Sequence, residues 1–343
     1  APIEPDGSVK MRVPANVALM ISMVDANGKM LQANGATGGL LRHQNWITLR
    51  PGEVMECKGC HTATSTAPHG RYDAQADSLN EGQPPGSAYP GTNGLITSPF
   101  ANATMAEARV DAAGSNDDDI MELSTDLVFD DAWSLTPEAS TAVRYYDLPA
   151  GLATPANSNC DLYDPDPQLA RGWNSRCRIV INYEDHIMPI WELDRGALPT
   201  PILASDMEPA TCIRCHNPTA MLDDADVNGD PLTQLNLFDT PADAVGIQRS
   251  SYRELFFTDV PKEVVDGQLV DCTEQVRRED DQGIPILDDD GNEIFDTVTC
   301  PATVPAAMSG NGAYASNRFF AVFEGAGSHV GYLTPAELKL IAE

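Results

Sequence analysis

The apolar positions of the chain fall into short runs separated by polar, glycine- and proline-rich stretches. Near the start, the apolar run Val17–Val24 ends at Asp25-Ala26-Asn27-Gly28, which is typical of a hairpin turn, and the chain returns through Lys29–Gln32. A second run, Trp46–Leu49, leads into Pro51-Gly52. Runs of this length bounded by turn residues predict strands, so the beginning of the chain is expected to be β-rich.

Helical patterns are fewer. Thr104-Met105-Ala106-Glu107 and Thr334-Pro335-Ala336-Glu337 each place a glutamate three residues after a threonine, which predicts a capping box at a helix start. Glu184–Leu193 is interpreted as a helix and Ser251–Phe256 as a helical turn. The long stretch Thr62–Pro99 is rich in Gly, Pro, Ser and Asn, and a compact domain rarely carries such a segment without a use for it.

Further strands are predicted at Ile120–Phe129, Val143–Tyr146 and Arg178–Tyr183. Leu269–Val276 and Glu293–Thr299 resemble the two strands of one hairpin, joined by an acidic loop that contains a glycine. Together these elements predict an α+β protein with few helices and many loops.

The length and charge of the chain limit its number of domains and its possible partners. The 343 residues allow one large domain or two to three smaller ones, and we expect a β-rich domain over 1–150 and a second domain over 151–343. The chain has 21 basic and 51 acidic residues, a net charge of −30, which argues against nucleic acid and against an anionic membrane surface as partners. No stretch approaches the roughly 20 apolar residues that span a bilayer, so no membrane span is expected.

Two pentapeptides give the chain its candidate chemistry. They are Cys57-Lys58-Gly59-Cys60-His61 and Cys212-Ile213-Arg214-Cys215-His216. Two cysteines three positions apart, followed directly by histidine, are the attachment signal for a c-type haem. Each thiol adds to one vinyl group of the porphyrin, and the adjacent imidazole then binds the iron from one face. The sequence therefore predicts two covalent haems, here called haem 1 and haem 2, with the protein wrapped around both and the second domain resembling a cytochrome c.

Two other interpretations explain the motifs less well. Paired Cys-x-x-Cys motifs can hold zinc, but such pairs usually lie about 15–20 residues apart, whereas these are separated by about 150 residues. A thioredoxin-like redox pair does not need the histidine that follows both motifs.

Four of the eight cysteines lie outside the motifs. Three pairings are formally open; we favour Cys160–Cys177 and Cys272–Cys300, because each closes a short loop, for the first of which a bridge is worth roughly 3 kcal/mol. Disulfides and covalent haem both indicate an oxidising compartment, so we expect an extracellular or cell-surface location, or otherwise the periplasm.

The sixth ligand of each haem iron is not given by the motifs. The chain has only six histidines, and besides His61 and His216 they are His43, His69, His186 and His329. We expect at least two of these four to bind iron: His69 or His43 at haem 1, His186 at either haem, and His329, in a glycine-flanked loop, as first choice at haem 2. Methionine is the rival ligand and would raise the potential, and an open sixth position would indicate catalysis.

A candidate calcium loop follows the second motif. Asp224, Asp226, Asn228 and Asp230 alternate as in the first half of an EF-hand, with Gly229 at the sixth position. Position twelve is Leu235 instead of glutamate, so an Asx-rich turn remains the alternative.

Three stretches together resemble the haem-binding part of the hydrazine synthase alpha subunit and its relatives. They are Trp46–Glu53 with the first motif, Asn182–Trp191, and His329–Leu338. The resemblance implies a late histidine on haem 2, which agrees with His329, a β-propeller region before Ala1 in a longer precursor, and a few further residues to complete the last helix. The hydrazine-forming member has a tyrosine four residues after the first motif histidine; this chain has Ser65 there, which argues against hydrazine synthesis.

Three functional hypotheses follow. The first is electron transfer by two bis-histidine haems to redox proteins or extracellular acceptors. The second is a haem enzyme that acts on a small nitrogen or oxygen compound, as in the relative. The third is a homo-oligomer or homopolymer in which subunits stack haem to haem into an extracellular filament, with a spare histidine reaching a neighbouring subunit.

Overall fold

A computed structural model describes most of the chain. The described residues are 1–26, 28–31, 42–43, 45–57, 83–113, 126–137, 140–155, 180–196, 211–219, 235–242, 246 and 248–343. They combine short helices and short strands with long irregular segments. The chain divides into two compact units, one of residues 1–148 and 154–180, the other of 149–153 and 181–343.

The first unit begins with isolated β-bridges. Leu19 pairs with Ile47 and Val24 with Met30, both antiparallel. The Asp25 N–H donates to Lys29 O at 2.9 Å, which closes the turn expected at Asp25–Gly28. The predicted early strands are therefore present as single bridges instead of continuous strands.

Helix α1 (Met105–Ala113) is held at its start by two sets of caps. Within the helix, the Thr104 N–H donates to the Glu107 carboxylate at 2.8 Å, and the Glu107 N–H donates to Thr104 Oγ1 at 3.2 Å, which is the predicted capping box. From the start of the chain, Asp6 and Ser8 accept the N–H groups of Met105 and Ala106, each at 3.0 Å. These bonds satisfy donors that a helix N-terminus otherwise leaves without partners.

A small core packs against α1. Its buried side chains are Tyr89, Met105, Ala108 and Trp133, with the Tyr89 and Trp133 rings edge to face at 5.5 Å. Trp133 Nε1 donates to the buried Glu4 carboxylate. Burial raises the pKa of Glu4, although Trp133 and Arg109 act against that shift.

Strands β1 (Leu127–Phe129) and β2 (Thr141–Val143) form an antiparallel pair in which Val128 faces Ala142. The strand predicted at Val143–Tyr146 is wrong in its extent, because β2 ends at Val143 and Tyr145–Asp147 is a 3₁₀ turn. The Arg144 N–H donates to the Asp147 carboxylate at 3.1 Å and so closes that turn.

The described residues of the second unit form several helices. Among them are a π-helical turn at Tyr183–Ile187 continuing into α2 (Met188–Glu192), then α3 (Cys212–Cys215), α4 (Ser250–Phe256), α5 (Asn317–Ala321) and α6 (Pro335–Ala342). Helices α2, α4, α5 and α6 supply many of its buried apolar side chains, among them Ile190, Trp191, Leu255, Phe319, Phe320, Leu340 and Ile341. The strand predicted at Arg178–Tyr183 is wrong at its end, because Asn182 caps a helical turn that begins at Tyr183.

Four strands form two hairpins in the second unit. Strand β3 (Lys262–Val265) pairs with β4 (Gln268–Asp271), and β5 (Thr273–Arg277) pairs with β6 (Phe295–Thr299). The Leu269–Val276 stretch, predicted as one strand, is therefore divided at Cys272 between two hairpins. The missed signal was Asp266-Gly267, whose positive φ angles of 54° and 74° form the tight turn that this dipeptide favours.

The second hairpin is a surface arm. Cys272 and Cys300, the pair expected from the sequence, form a disulfide at its base, with Cα atoms 5.4 Å apart. Every residue of β5 is exposed, and Val276 and Phe295 are among the exposed apolar side chains. A two-stranded hairpin is only marginally stable in water, so the bridge supplies part of what a core would supply.

Among the residues that the structure describes, no helix is both long and apolar enough to cross a membrane.

Candidate functional site

The second Cys-x-x-Cys-His motif is built on one helical turn. Helix α3 starts after the extended residue Thr211, and the His216 N–H donates to Cys212 O at 3.0 Å. Asn217 Nδ2 closes the turn by donating to the carbonyls of Ile213 and Arg214 at 2.7 and 2.8 Å. Residues three apart on a helix share a face, so Cys212 and Cys215 lie on one side with His216 directly after them.

A returning segment orients the His216 ring. His216 Nδ1 lies 3.2 Å from Leu235 O, and the Leu237 N–H donates to His216 O at 2.9 Å. A carbonyl can only accept, so Nδ1 carries the proton and the lone pair lies on Nε2. This is the arrangement by which proteins usually prepare a histidine as a metal ligand.

His329 faces His216. The centres of the two rings are 6.0 Å apart, and the ring planes are 31° from parallel. With metal–nitrogen bonds of about 2 Å, two imidazoles that share one metal ion have ring centres roughly 6 Å apart. The spacing of this pair therefore suits one iron between the two rings.

Both rings are poised to be neutral. Burial lowers the pKa of His216, and the nearby His329 lowers it further. Burial also lowers the pKa of His329. Neutral imidazole is the form that binds a metal ion, so the environment favours the ligand form of both side chains.

Aromatic and hydroxyl groups surround His329. Ser328 Oγ lies 2.7 Å from His329 Nδ1. The rings of Phe323 and Tyr332 lie 5.7 and 5.2 Å from the His329 ring, both edge to face. Burial raises the pKa of Tyr332, with the nearby Cys215 as a second cause, so this wall joins His329 to the motif on α3.

A buried ion pair supports the other side of the motif. Arg195 Nη2 lies 2.6 Å from the Glu337 carboxylate, with the two side chains 10% and 0% exposed. The same guanidinium donates to Ile190 O at 2.7 Å, and its Nη1 lies 3.8 Å from Cys212 Sγ. Burial raises the pKa of the Cys212 thiol, and Arg195 acts against that shift.

Sequence reasoning missed Arg195 and the second role of Glu337. Glu337 was recognised only as a capping residue, and its carboxylate does accept the Thr334 N–H at 2.7 Å. Its other oxygen binds Arg195. No local pattern connects positions 195 and 337, so the contact could not have been found without the fold.

An apolar wall of rings continues behind His329. Phe323 contacts Phe319 at 5.2 Å, and Phe319 contacts the buried Trp191 at 6.2 Å. Trp191 Nε1 donates to the Tyr183 hydroxyl at 3.2 Å, and burial raises the pKa of Tyr183 to about 12. Trp191 and Phe319 are buried, so these rings support from behind the Phe323 ring that contacts His329.

In the structure, the His186 side chain is hydrogen-bonded to the backbone at the start of the π-helical turn. The Asn182 N–H donates to His186 Nδ1 at 2.8 Å, while Asn182 O accepts the His186 N–H at 2.9 Å. The same Nδ1 also lies 3.1 Å from Asn182 O, so this ring nitrogen is engaged with the backbone of Asn182 and caps the π-helical turn. His329, whose ring centre lies 6.0 Å from that of His216, is the better placed candidate at the second motif.

Little of the first motif falls within the described residues. Cys57 is exposed, while Cys60, His61 and His69 lie outside the described residues, as do Cys160, Cys177 and the four residues of the candidate calcium loop. His43 is described: its N–H donates to Ile21 O at 2.8 Å, and its Nδ1 donates to Asn45 O at 2.7 Å. Its Nε2 therefore carries the lone pair that a metal ion needs.

Large apolar side chains are exposed along the segment that leads to Cys57. Trp46 is 68% exposed and Val54 is 92% exposed. These exposed apolar side chains precede Cys57 of the first motif along the chain.

Groups of three or more His, Cys, Asp or Glu side chains that could hold a metal ion do not occur in the described part of the chain. A haem supplies four of its six iron ligands itself and needs only two from the protein. The donor set at His216 and His329 therefore suits a haem iron.

Comparison with known proteins adds one family. Residues 1–62 match the family model of the hydrazine synthase alpha subunit middle domain. The match covers the residues up to and including the first motif, and thus fewer than one in five of the 343 residues. No curated protein and no solved structure matches the chain.

Proposed function

We propose that this protein is a c-type cytochrome with two covalent haems and that it transfers electrons. The observation that carries the proposal is the His216–His329 pair, because a ring spacing of 6.0 Å directly after a Cys-x-x-Cys motif suits a haem iron with two histidine ligands. A haem bound at each motif would take up and release one electron at a time.

The chain's own residues would hold the second haem in three ways. Cys212 and Cys215 would form the thioethers, with Arg195 and Glu337 fixing the position of the first thiol. His216 and His329 would bind the iron from opposite faces. Phe323 and Tyr332 would hold the His329 ring in its orientation.

The same residues favour electron transfer over catalysis. Two protein ligands leave no iron position for a substrate, so the iron can change charge without binding one. The acidic chain, with a net charge of −30, favours the oxidised, more positive form of the haem and so lowers its potential.

We propose a similar arrangement at the first motif. Cys57 and Cys60 would hold the porphyrin and His61 would bind the iron. His43 or His69 would supply the sixth ligand. The exposed Trp46 and Val54 would then lie against the porphyrin instead of against water.

A reduced-minus-oxidised spectrum combined with electron paramagnetic resonance tests the proposal. We expect two low-spin haems whose spectra do not change when carbon monoxide is added. A high-spin haem that binds carbon monoxide would contradict pure electron transfer.

The second candidate function is a haem enzyme that acts on a small nitrogen or oxygen compound. The match of residues 1–62 to the hydrazine synthase alpha subunit middle domain favours it. It requires an open position on one iron, and haem 1 is where that opening would lie, since the match ends at the first motif. Carbon monoxide binding assigned to haem 1 would therefore favour the enzyme.

The surroundings of the protein follow from the same proposal. Covalent haem and the Cys272–Cys300 disulfide suit an extracellular, cell-surface or periplasmic location. Redox proteins or extracellular acceptors would be the partners. If subunits stack into a filament that transfers electrons, negative-stain images would reveal it. Calcium bound at Asp224–Asp230 would be detected by metal analysis.

A further inference from the structure

The loop that carries His329 folds back onto the end of helix α5. The His329 N–H donates to Val322 O at 2.8 Å. Inside the loop, the Gly327 N–H donates to Glu324 O, also at 2.8 Å. Carbonyls at a helix C-terminus lack partners within the helix, so one hydrogen bond both satisfies the helix end and fixes the backbone of His329.

Gly327 makes this close approach achievable. A Cβ atom at position 327 would lie 2.3 Å from Val322 O and 2.5 Å from Ala321 O. Both distances are far below van der Waals contact, and both neighbours are backbone atoms that no rotamer change can move aside. The oxygen that excludes a Cβ is the same oxygen that accepts the His329 N–H.

The obstacle to a side chain at this position is close contact and not a positive φ. Gly325 and Gly331, in the same loop, have positive φ angles of 58° and 83°, whereas Gly327 is not among the glycines with positive φ. Alanine at 327 would therefore avoid the strain of a positive φ, and its methyl group would act by pushing the loop away from Val322.

We propose that Gly327 is the positioning residue for the sixth ligand of haem 2. The inference rests on the proposed function, since it assumes a haem between His216 and His329. A side chain at 327 breaks the Val322–His329 hydrogen bond and moves the His329 ring away from His216. His216 keeps its own bond to Leu235 O, which comes from another segment.

The test compares Gly327→Ala with Gly310→Ala in the holoprotein. Gly310 is the matched control, because a Cβ there would meet nothing within 4 Å and its φ is not positive. In Gly327→Ala we expect haem 2 to become high-spin and to bind carbon monoxide in most molecules, and added imidazole to restore the low-spin signal. Gly310→Ala and haem 1 are expected to remain as in the wild type.

The outcomes separate the two proposals. A wild-type protein without haem on the Cys212–Cys215 peptide would overturn the proposed function itself. A wild-type protein with a low-spin haem 2, combined with a Gly327→Ala variant that stays low-spin and insensitive to carbon monoxide, would overturn only the role of Gly327.

If Gly327→Ala fails to fold, a comparison with His329→Ala still tests the proposal. Imidazole present during expression would replace the lost ligand in both variants. Recovery of folded Gly327→Ala under that condition supports the positioning role. Failure of Gly327→Ala while His329→Ala folds with imidazole would show that Gly327 serves the fold as a whole, which overturns the proposal.

Discussion

At the scale of single residues, the carboxylates of Glu254 and Glu337 in the second unit influence how stability responds to pH and to substitution. Glu254 of α4 is partly buried, and burial together with the charge of Asp259 raises the pKa of its carboxyl to about 7, while Lys262 and Arg253 oppose the shift. The unfolded chain would lose this proton near the ordinary value of 4.5. The folded protein therefore holds the proton longer, and stability falls as pH rises from about 4.5 to about 7.

Glu254→Gln is expected to stabilise the protein by about 1 kcal/mol at pH 8, after allowance for the partial exposure of the side chain. Below about pH 4.5 the substitution should have little effect, because Glu254 is protonated in both states. Denaturant unfolding at the two pH values measures the difference, with the exposed Glu274→Gln as control. Equal effects of Glu254→Gln at both pH values would contradict this account.

The Arg195–Glu337 ion pair gives a second prediction. Arg195→Met leaves the fully buried Glu337 carboxylate without its partner and is expected to cost about 3–5 kcal/mol. Adding Glu337→Leu should recover part of that loss in a denaturant titration, because the buried charge is then gone. Arg278→Ala, which breaks the exposed pair with Asp296, should cost at most about 1 kcal/mol. Similar losses for the two arginine variants would show that burial is not the cause.

At the scale of elements, the disulfide sets the stability of the exposed arm. The Cys272→Ala/Cys300→Ala double variant opens a bridge with a sequence separation of 28 and is expected to lower the free energy of unfolding by about 3.5 kcal/mol. Limited proteolysis should then cut between β5 and β6, where the wild type resists. An arm that is equally resistant in both proteins would show that other contacts hold it.

The elements also show where local sequence is sufficient. Thr104 with Glu107 and Thr334 with Glu337 predicted two helix starts, because a capping box is completed within one turn. The division of Leu269–Val276 at Cys272 was missed although Asp266-Gly267 is a strong turn signal. No glycine or proline lies within Leu269–Val276 to mark a break, so one strand was predicted, and only the pairing partners reveal two.

In the candidate site, too, the local features could be predicted and the long-range contacts could not. The motif at Cys212–His216 is local, so sequence could locate it. From the sequence, His329 was preferred at haem 2 for its glycine-flanked loop and by resemblance, whereas the geometry shows Nδ1 of His186 engaged with Asn182 and His329 opposite His216. Arg195 and Gly327 act through contacts with distant or backbone atoms, and no sequence pattern records those contacts.

At the scale of the whole molecule, a net charge of −30 makes the compact state repel itself. Salt screens this repulsion, with a Debye length that shrinks from about 30 Å at 0.01 M to about 3 Å at 1 M. We therefore expect the melting temperature to rise when sodium chloride is raised over this range. A melting temperature that is flat or falls with salt would show that attractive ion pairs outweigh the excess acidic charge.

The central claim is that the chain carries two covalent haems, one at each Cys-x-x-Cys-His motif. Intact-mass measurement of the denatured protein, followed by peptide mapping, tests it most directly. We expect the mass of the chain plus two haems, with one haem on the peptide containing Cys57 and Cys60 and the other on that containing Cys212 and Cys215. A chain without bound haem, or with zinc in its place, would contradict the account.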